Sequence, residues 1–304
     1  PGRSAHMALE TLWKGTMDLG GGWVLELDIE SFFDNVDHAH LRTFLDQRVR
    51  DGVIRRAIGK WLNAGVLENG AVRRDKTGTP QGGVISPLLA NIYLHHVLDV
   101  WFTEVVRPRL NGRAILVRYA DDVAIVFDHE SDARRVLQVL PKRFGRFGLR
   151  LHPEKTRLVD FRRPSGGGRP PGERGFSMLG FTHFWGSSRK GRPVVKRKTA
   201  TKSLSRSLIR IGTWCRHNRH EPIAKQHATL VQKVRGHYAY FGITGNRRSL
   251  SSFVRQVERR WRYWLARRGG RRRMTWEKFS RLLTRFALPS PRIVHSALRT
   301  AANP

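Results

Sequence analysis

Cysteine is nearly absent from this chain of 304 residues, and acidic residues are scarce. The single cysteine, Cys215, excludes an internal disulfide and a cysteine-rich zinc module. Only 24 Asp and Glu accompany 57 Lys and Arg, which gives a formal net charge of +33. Long apolar runs are missing too, because prolines, Gln81 and Asn91 interrupt the longest uncharged stretch, Thr77–Leu98, which excludes it as a membrane span. The remaining composition, 39% hydrophobic and 10% aromatic, is sufficient for a core in one large or two medium domains.

The positive charge is concentrated toward the C-terminal end. Residues 189–304 contain 30 Lys and Arg but only 3 acidic residues, whereas residues 1–188 contain 27 basic and 21 acidic residues. A solvated charged face is the ordinary explanation of a short basic run, but this imbalance extends over a whole region. It indicates a polyanionic partner, and nucleic acid is the first candidate. Aromatic residues that suit base stacking are interleaved with the charges: Trp214, Tyr238, Tyr240, Phe241, Trp261, Tyr263, Trp264 and Trp276.

Two stretches rich in glycine or proline divide the chain. Arg162–Gly172 (RRPSGGGRPPG) cannot continue a helix or a central strand, and a second break lies near Gly186–Pro193. The short apolar block Phe176–Trp185 lies between them. From about Thr199 the pattern is helical, and apolar residues recur at steps of three and four: Leu250, Phe253, Val254, Val257, Trp261, Trp264 and Leu265. We therefore predict three regions: residues 1–163, 164–195 and 196–304.

Two acidic clusters lie in apolar surroundings in the N-terminal region. Trp23–Ile29 alternates as a strand does, with Asp28 at or near its end. Ala114–Phe127 predicts a hairpin of two apolar strands, whose turn contains Asp121 and Asp122. Aspartate is common in turns, so turn chemistry alone is the simpler interpretation. Two adjacent like charges between buried strands are nevertheless costly without a cation.

Carboxylates from different strands that meet at one point are typical of two-metal nucleotidyl transfer. Mg²⁺ takes oxygen ligands and is commonly bound by one or two carboxylates plus substrate phosphates. Two such ions stabilise both the attacking and the leaving oxygen of an in-line displacement. Asp28 on one strand and Asp121 in a neighbouring hairpin would provide this arrangement.

Three blocks of the sequence resemble those of reverse transcriptases. Tyr119–Asp122 is their YADD box, and Leu27–His38 (LDIESFFDNVDH) resembles their first catalytic block. Gly78–Asn91 (GTPQGGVISPLLAN) resembles the intervening block of group II intron-encoded reverse transcriptases. Pro1–His6 (PGRSAH) and Gly236–Asn246 (GHYAYFGITGN) also resemble that family, the latter in its maturase region. A YADD tetrapeptide alone is a weak signal, but three blocks in the right order are a specific one.

The resemblance implies an α+β fold. It comprises a right-hand polymerase palm, with an antiparallel sheet flanked by helices, and partial fingers over residues 1–163. Residues 164–195 would be a linker and primer-grip segment, and residues 196–304 an all-helical, basic thumb or maturase domain that binds RNA. Residue by residue, Asp28, Asp121 and Asp122 match the catalytic carboxylates. They would bind two Mg²⁺ ions together with the backbone carbonyl of Ile29.

The resemblance also implies the residues that contact the nucleotide. Phe33 would lie under the incoming sugar and exclude a 2′-hydroxyl, which makes the product DNA, while Phe32 would belong to the core. Gln81 and Gly82 would touch the nucleotide or template, and a plain tight turn is the alternative there. Lys155 matches a lysine near the triphosphate, although a surface lysine is the simpler interpretation.

Further residues are assigned to primer, RNA or structure. Leu179 and Gly180 in Met178–Phe181 resemble the primer-grip hairpin. RNA contacts are expected from arginines of the basic region: Arg247, Arg248, Arg271, Arg272 and Arg273. Asp34 and Asp37 are interpreted as helix-start and structural carboxylates, and Asp128 and Asp132 as solvated. The histidines have no zinc-site spacing, no nucleophile-elbow motif supports a hydrolase, and we do not expect an HNH-type nuclease domain.

The leading hypothesis is an RNA-directed DNA polymerase of a mobile group II intron, whose RNA binding assists splicing. Its partners would be intron RNA, a DNA primer or target, and dNTPs, in a bacterial cytoplasmic ribonucleoprotein without a membrane. One alternative is a non-enzymatic maturase that only binds and folds intron RNA, and another is a defence-linked or retron-like reverse transcriptase. Because the chain opens at Pro1, with no initiator methionine, we expect an N-terminally incomplete protein that lacks the start of the fingers.

Overall fold

The computed structural model describes residues 2–62, 66–68, 71–73, 78, 84–164, 175–188, 190–268 and 274–295. They form an α+β chain, as predicted, which divides into two compact units. Unit 1 comprises Pro1–Leu179 and Trp185–Val195, and unit 2 comprises Gly180–Phe184 and Lys196–Pro304.

Helices and short strands alternate in unit 1. The helices are α1 (Ala5–Asp18), α2 (His38–Asp46), α3 (Gly52–Leu62), α4 (Ser86–Leu94) and α5 (Glu130–Gly145). The strands before the second unit begins are β1 (Trp23–Leu27), β2 (Ile29–Glu30), β3 (Val66–Glu68), β4 (Ala71–Arg73), β5 (Ala114–Tyr119), β6 (Asp122–Phe127), β7 (Arg150–Leu151), β8 (Arg157–Asp160) and β9 (Gly175–Met178). A 3₁₀ turn, Phe32–Asp34, follows β2, and α4 continues as π-helical turns at His95–Val100 and Phe102–Val106 before a 3₁₀ turn at Arg107–Arg109.

A four-stranded sheet with the order β5-β6-β1-β8 is the centre of unit 1. β1 pairs antiparallel with β6 and β8, and β6 pairs antiparallel with β5. Leu27 is opposite Val123, and Tyr119 is opposite Asp122, so the end of β1 lies beside the turn of the β5–β6 hairpin. The predicted strand and hairpin are therefore confirmed.

Both faces of this sheet are covered because β1 and β6 are apolar on both sides. On one face Leu25 and Leu27 pack in a cluster with residues of α2, α4 and α5. On the other face Val24 packs with residues of α1 and β9, including Phe176 and Met178. Alternate residues of one strand thus serve two cores.

Consecutive glycines let the chain enter β1 between its neighbours. Gly21 and Gly22 have φ values of +99° and +91°, which side chains with a Cβ rarely adopt. A Cβ at either position would also collide with a backbone carbonyl, of Phe161 or of Phe127. Both strands beside β1 therefore approach the chain where only glycine fits.

The sheet of β9, β10 (Phe181–Ser187) and β11 (Pro193–Thr199) has the order β11-β10-β9. From Thr201 onward unit 2 is helical, with α6 (Thr201–His217), α7 (Ile223–Phe241), α8 (Arg247–Leu265) and α9 (Trp276–Arg285). The predicted amphipathic helix corresponds to α8, whose Leu250, Phe253 and Trp261 are buried in the core of unit 2. Among the described residues, the helices are too short or too polar to cross a bilayer.

Candidate active site

Asp28 is held by the segment that precedes β8. It follows the last residue of β1, and its carbonyl accepts the amide N–H of His152 at 2.8 Å. Thr156 Oγ1 lies 3.4 Å from the Asp28 backbone nitrogen, and Lys155 Nζ lies 3.4 Å from Asp28 Oδ1. The Asp28 side chain is 41% exposed. Its backbone is therefore fixed while its carboxylate is open to a ligand, and Lys155 is the cation beside it.

The β5–β6 turn places the other two aspartates at the same end of the sheet. Ala120 has a φ of 55°, in the left-handed region that a residue with a Cβ rarely adopts. Its carbonyl accepts a hydrogen bond from Arg118 Nη1 at 3.1 Å. Arg118 also forms a two-pronged ion pair with Asp99, at 2.7 and 2.6 Å. This ion pair braces the strained turn, because a planar guanidinium bonded at several points has little freedom.

Asp122 is the most buried of the three aspartates. Burial raises its pKa to about 6, although the amide N–H of Leu179, 2.6 Å from Oδ2, lowers it. The negative charges of Asp121, Glu26 and Asp28 contribute to this raised pKa. The aspartates predicted from three positions in the sequence thus act on one another electrostatically, as members of one cluster do.

The cluster fits a magnesium site that is completed by substrate. Among the described residues, no three His, Cys, Asp or Glu side chains are gathered into a ready metal centre. Mg²⁺ does not require one, because it is usually bound by one or two carboxylates and substrate phosphates. The donors available are carboxylate oxygens of Asp28, Asp121 and Asp122, and Ile29 begins β2 directly after Asp28. Hard oxygen donors and several neighbouring negative charges are the chemistry this ion requires.

Of the predicted nucleotide contacts, two are described. Phe32 is 4% exposed and belongs to the core, as predicted. Phe33 is partly buried and packs against that core, with its ring centroid 5.4 Å from that of Phe32. Lys155 is beside Asp28. Gln81 and Gly82 lie outside the described residues.

The comparison with protein families agrees with this geometry. Residues 6–183 match the family described as reverse transcriptase (RNA-dependent DNA polymerase). The chain belongs to the reverse transcriptase family. The match includes Asp28, Asp121 and Asp122, and the four-stranded sheet that positions them is the palm of this reverse transcriptase.

Curated relatives of the reverse transcriptase include intron-encoded proteins. Group II intron-encoded protein LtrA of Lactococcus lactis subsp. cremoris is 45% identical over 98 residues, which are 32% of this chain and 16% of LtrA. An uncharacterized 91 kDa protein in the cob intron of Schizosaccharomyces pombe is 42% identical over 118 residues, 39% of this chain and 14% of that protein. Protein YkfC of Escherichia coli (strain K12) is 31% identical over 194 residues, 52% of this chain and 49% of YkfC. The predicted resemblance to group II intron-encoded proteins is confirmed, and the chain spans from about one seventh to half of these relatives' lengths.

The predicted primer-grip residues of the reverse transcriptase lie directly after β9. Leu179 and Gly180 both have positive φ, 52° and 75°, as residues of a tight turn do. Leu179 donates its amide N–H to Asp122, so the turn begins at the carboxylate cluster.

Unit 2 presents exposed cations next to aromatic rings. Arg247 and Arg248 are exposed in the first turn of α8, where no acidic residue balances them. The N-terminal end of a helix is itself partially positive, so these arginines add to a field that attracts anions. Just after α8, the Arg267 guanidinium lies 3.4 Å from the centroid of the Tyr263 ring, which is on the last turn of that helix and is 44% exposed. Arg271, Arg272 and Arg273 lie outside the described residues.

One predicted surface carboxylate of the reverse transcriptase is not solvated. The prediction for Asp132 was wrong, because its side chain is 2% exposed and its Oδ2 accepts the amide N–H of Asn111 and of Gly112, at 2.9 and 3.0 Å. Asp128 is likewise engaged, in an ion pair with Arg113 at 3.2 Å. Both tie the far end of the hairpin, away from the YADD turn. Asp37 behaves as predicted and caps α2, with its Oδ1 2.8 Å from the Ala39 nitrogen.

Sequence reasoning assigned no role to Glu26, whose charge helps to raise the pKa of Asp122, or to Arg118, which donates a hydrogen bond to the Ala120 carbonyl in the turn. Glu26 is a charged residue inside a buried strand, two positions before Asp28, and that alternation was a visible signal. Arg118 is 12% exposed, and its partner Asp99 is 19 residues away. An ion pair between residues this far apart in the sequence leaves no trace in the hydrophobic periodicity from which helices and strands are predicted.

Proposed function

We propose that the chain is an RNA-directed DNA polymerase that joins dNTPs to a DNA primer by two-metal nucleotidyl transfer. The observation that supports this most strongly is the carboxylate cluster of Asp28, Asp121 and Asp122 at one end of the palm sheet. The raised pKa of Asp122 reflects its burial and the neighbouring negative charges. Such a cluster destabilises the fold unless cations neutralise it, so its presence in a reverse transcriptase supports catalysis.

Each residue of the site has a distinct part in the proposed reaction. Asp28 and Asp121 would bind the two Mg²⁺ ions, with the Ile29 carbonyl and Asp122 as further ligands. Ions bound there stabilise the attacking and leaving oxygens. Lys155 would move from Asp28 to the triphosphate and neutralise the departing pyrophosphate. Phe33 would contact the sugar and exclude ribonucleotides.

The same proposal assigns RNA binding to unit 2. Its basic charge, the exposed Arg247 and Arg248, and the pairing of Arg267 with Tyr263 support contacts with phosphates and bases. Similarity to a group II intron-encoded protein supports intron RNA as the partner, in a ribonucleoprotein that assists splicing. Arg271, Arg272 and Arg273 remain predicted contacts, as do Gln81 and Gly82 for the nucleotide.

Replacement of Asp121 by Asn tests the polymerase. The variant loses one carboxylate charge at the proposed metal site but keeps the size of the side chain. We expect primer extension on an RNA template in Mg²⁺ to fall by at least about 100-fold, the usual scale for loss of an electrostatic group at a reacting centre. RNA affinity should be unchanged or slightly higher, because a negative charge is removed.

Asp128→Asn is the matched control, since Asp128 follows the opposite end of β6 and pairs with Arg113. It should extend primers at nearly the parental rate. Parental activity in Asp121→Asn would refute the metal assignment. A parental protein that binds intron RNA but does not extend primers would favour the non-enzymatic maturase.

A further inference from the structure

Glu26 connects the palm sheet to the strand that precedes the predicted primer grip. It lies on β1 two residues before Asp28, so the two side chains are on the same face of the sheet. The Glu26 side chain is 11% exposed. One of its oxygens accepts the amide N–H of Ser177 on β9, and the other accepts a hydrogen bond from Arg157 Nε.

A second carboxylate holds the residue that directly follows β9. Phe176 and Met178 of β9 are 0% and 1% exposed and pack on the sheet. Ser177 lies between them on β9, and Leu179 directly follows the strand. Ser177 donates to Glu26, and Leu179 donates to Asp122 at 2.6 Å. Two carboxylates of adjacent sheet strands, β1 and β6, thus fix β9.

A charged side chain such as that of Glu26 is unexpected in a buried strand. Val24, Leu25 and Leu27 on the same strand are 0–5% exposed, and an apolar residue would avoid the cost of burying a charge. The hydrogen bonds of Glu26 that offset this cost connect it, directly or through Arg157, to β9. Ser177 is contacted directly, and Arg157 in turn donates from Nη2 to the carbonyl of Gly175 at 3.3 Å.

We propose that Glu26 is a positioning residue for DNA synthesis, which holds β9 so that Leu179 is fixed relative to the catalytic carboxylates. The inference rests on the proposed polymerase function. Glu26 itself touches neither metal nor substrate. It acts through the strand that leads into the predicted primer grip, whereas Asp28, which directly follows β1, would bind the metal.

A positioning role predicts a specific kinetic pattern. A primer 3′ end misplaced by about 1 Å reacts roughly 100-fold more slowly, although its binding is little changed. Loss of Glu26 should therefore lower kcat while the KM for dNTP and the Kd for primer–template stay within about twofold. A purely structural role would lower the amount of folded protein and leave the kcat of the folded fraction unchanged.

The test compares Glu26→Gln with the parental protein by hydrogen exchange and steady-state kinetics. An amide at position 26 cannot accept both from Ser177 N–H and from Arg157, because its nitrogen is a donor. We expect faster exchange in the peptide covering residues 175–179 and a kcat lower by about 10- to 100-fold. Glu26→Asp, which keeps the charge but is one methylene shorter, should show the same loss if Glu26→Gln does not fold.

Asp132→Asn is the matched control. Asp132 is also a buried carboxylate that accepts two backbone amides and pairs with an arginine, Arg135, but it lies at the far end of the hairpin. It should destabilise the protein without a change in kcat or in exchange at 175–179. A kcat of the Glu26 variants equal to that of Asp132→Asn overturns the positioning role alone. If the parental protein does not extend primers, the proposed polymerase function is refuted. Hydrogen exchange of residues 175–179 would then still show whether Glu26 holds β9 in place.

Discussion

Phe33 is the residue at which sugar selectivity can be separated from folding. Its ring packs against the core but is only partly buried, while the adjacent Phe32 is inside the core. The 3₁₀ turn Phe32–Asp34 directs these adjacent residues to different environments. One ring can then stabilise the palm while the other borders the site.

Phe33→Val should raise ribonucleotide incorporation far more than it lowers deoxynucleotide use. The smaller side chain removes the surface that would collide with a 2′-hydroxyl, the group that distinguishes RNA from DNA precursors. The measurement is the ratio of kcat/KM for dNTP and rNTP in primer extension. Phe44→Val, in the same core cluster on α2, is the control and should leave the ratio unchanged. An unchanged ratio in Phe33→Val would assign Phe33 to the core.

At the scale of elements, α7 and α8 are joined by a buried histidine. The His237 ring stacks on Phe253 with centroids 3.6 Å apart and an interplanar angle of 10°. Burial lowers the pKa of His237 to about 4, so the ring is neutral at pH 7. The helix contact therefore depends on a group that is protonated more readily in the unfolded chain.

This contact predicts a stability that falls as the pH is lowered from about 6.5 to about 4. Over that range the unfolded chain binds a proton that the folded protein excludes, which costs up to about 3 kcal/mol. His237→Phe keeps an aromatic ring and should be less sensitive to acid than the parental protein in denaturant unfolding at pH 7 and pH 5. His227→Gln, on the same helix but partly exposed, should retain the parental dependence. Equal pH dependence in His237→Phe would contradict the prediction.

At the scale of the whole molecule, the acidic cluster and the excess of basic charge lie in different units. The carboxylate cluster is in unit 1, and most of the net positive charge is in the region that forms unit 2. Affinity for RNA and catalysis should therefore respond to different substitutions. Each phosphate contact contributes about 0.7 to the slope of log K against log salt for a single strand.

Arg247→Glu combined with Arg248→Glu should weaken RNA binding and reduce that slope by roughly 1.4, if each arginine contacts one phosphate. The measurement is RNA affinity at several salt concentrations, with circular dichroism as a check on folding. Reversal of Arg134 and Lys142 on α5 changes the net charge equally and should have a much smaller effect. Equal effects of the two pairs would mean that overall charge, not the start of α8, attracts the RNA.

The elements and the aspartates were predictable where the signal is local. The alternation of β1, the hairpin around Asp121, and the three- and four-residue steps of α8 each lie within one element. The fixation of β9 was not predictable, because Ser177 and Glu26 are separated by 151 residues. Asp132 was assigned wrongly for a related reason: a carboxylate in the first turn of a helix resembles a solvated one until the loop whose Asn111 and Gly112 amides bond to it is known.

The division between the two units falls inside strands, since Gly180–Phe184 and Lys196 onward belong to unit 2 while Trp185–Val195 belongs to unit 1. The units are therefore interleaved along the chain, and no single cut separates them. A truncation before Lys196 would leave Phe181 without Tyr240 and Phe241, the rings it packs against. An insertion or exchange of the RNA-binding part with that of a related protein would have to keep both junctions.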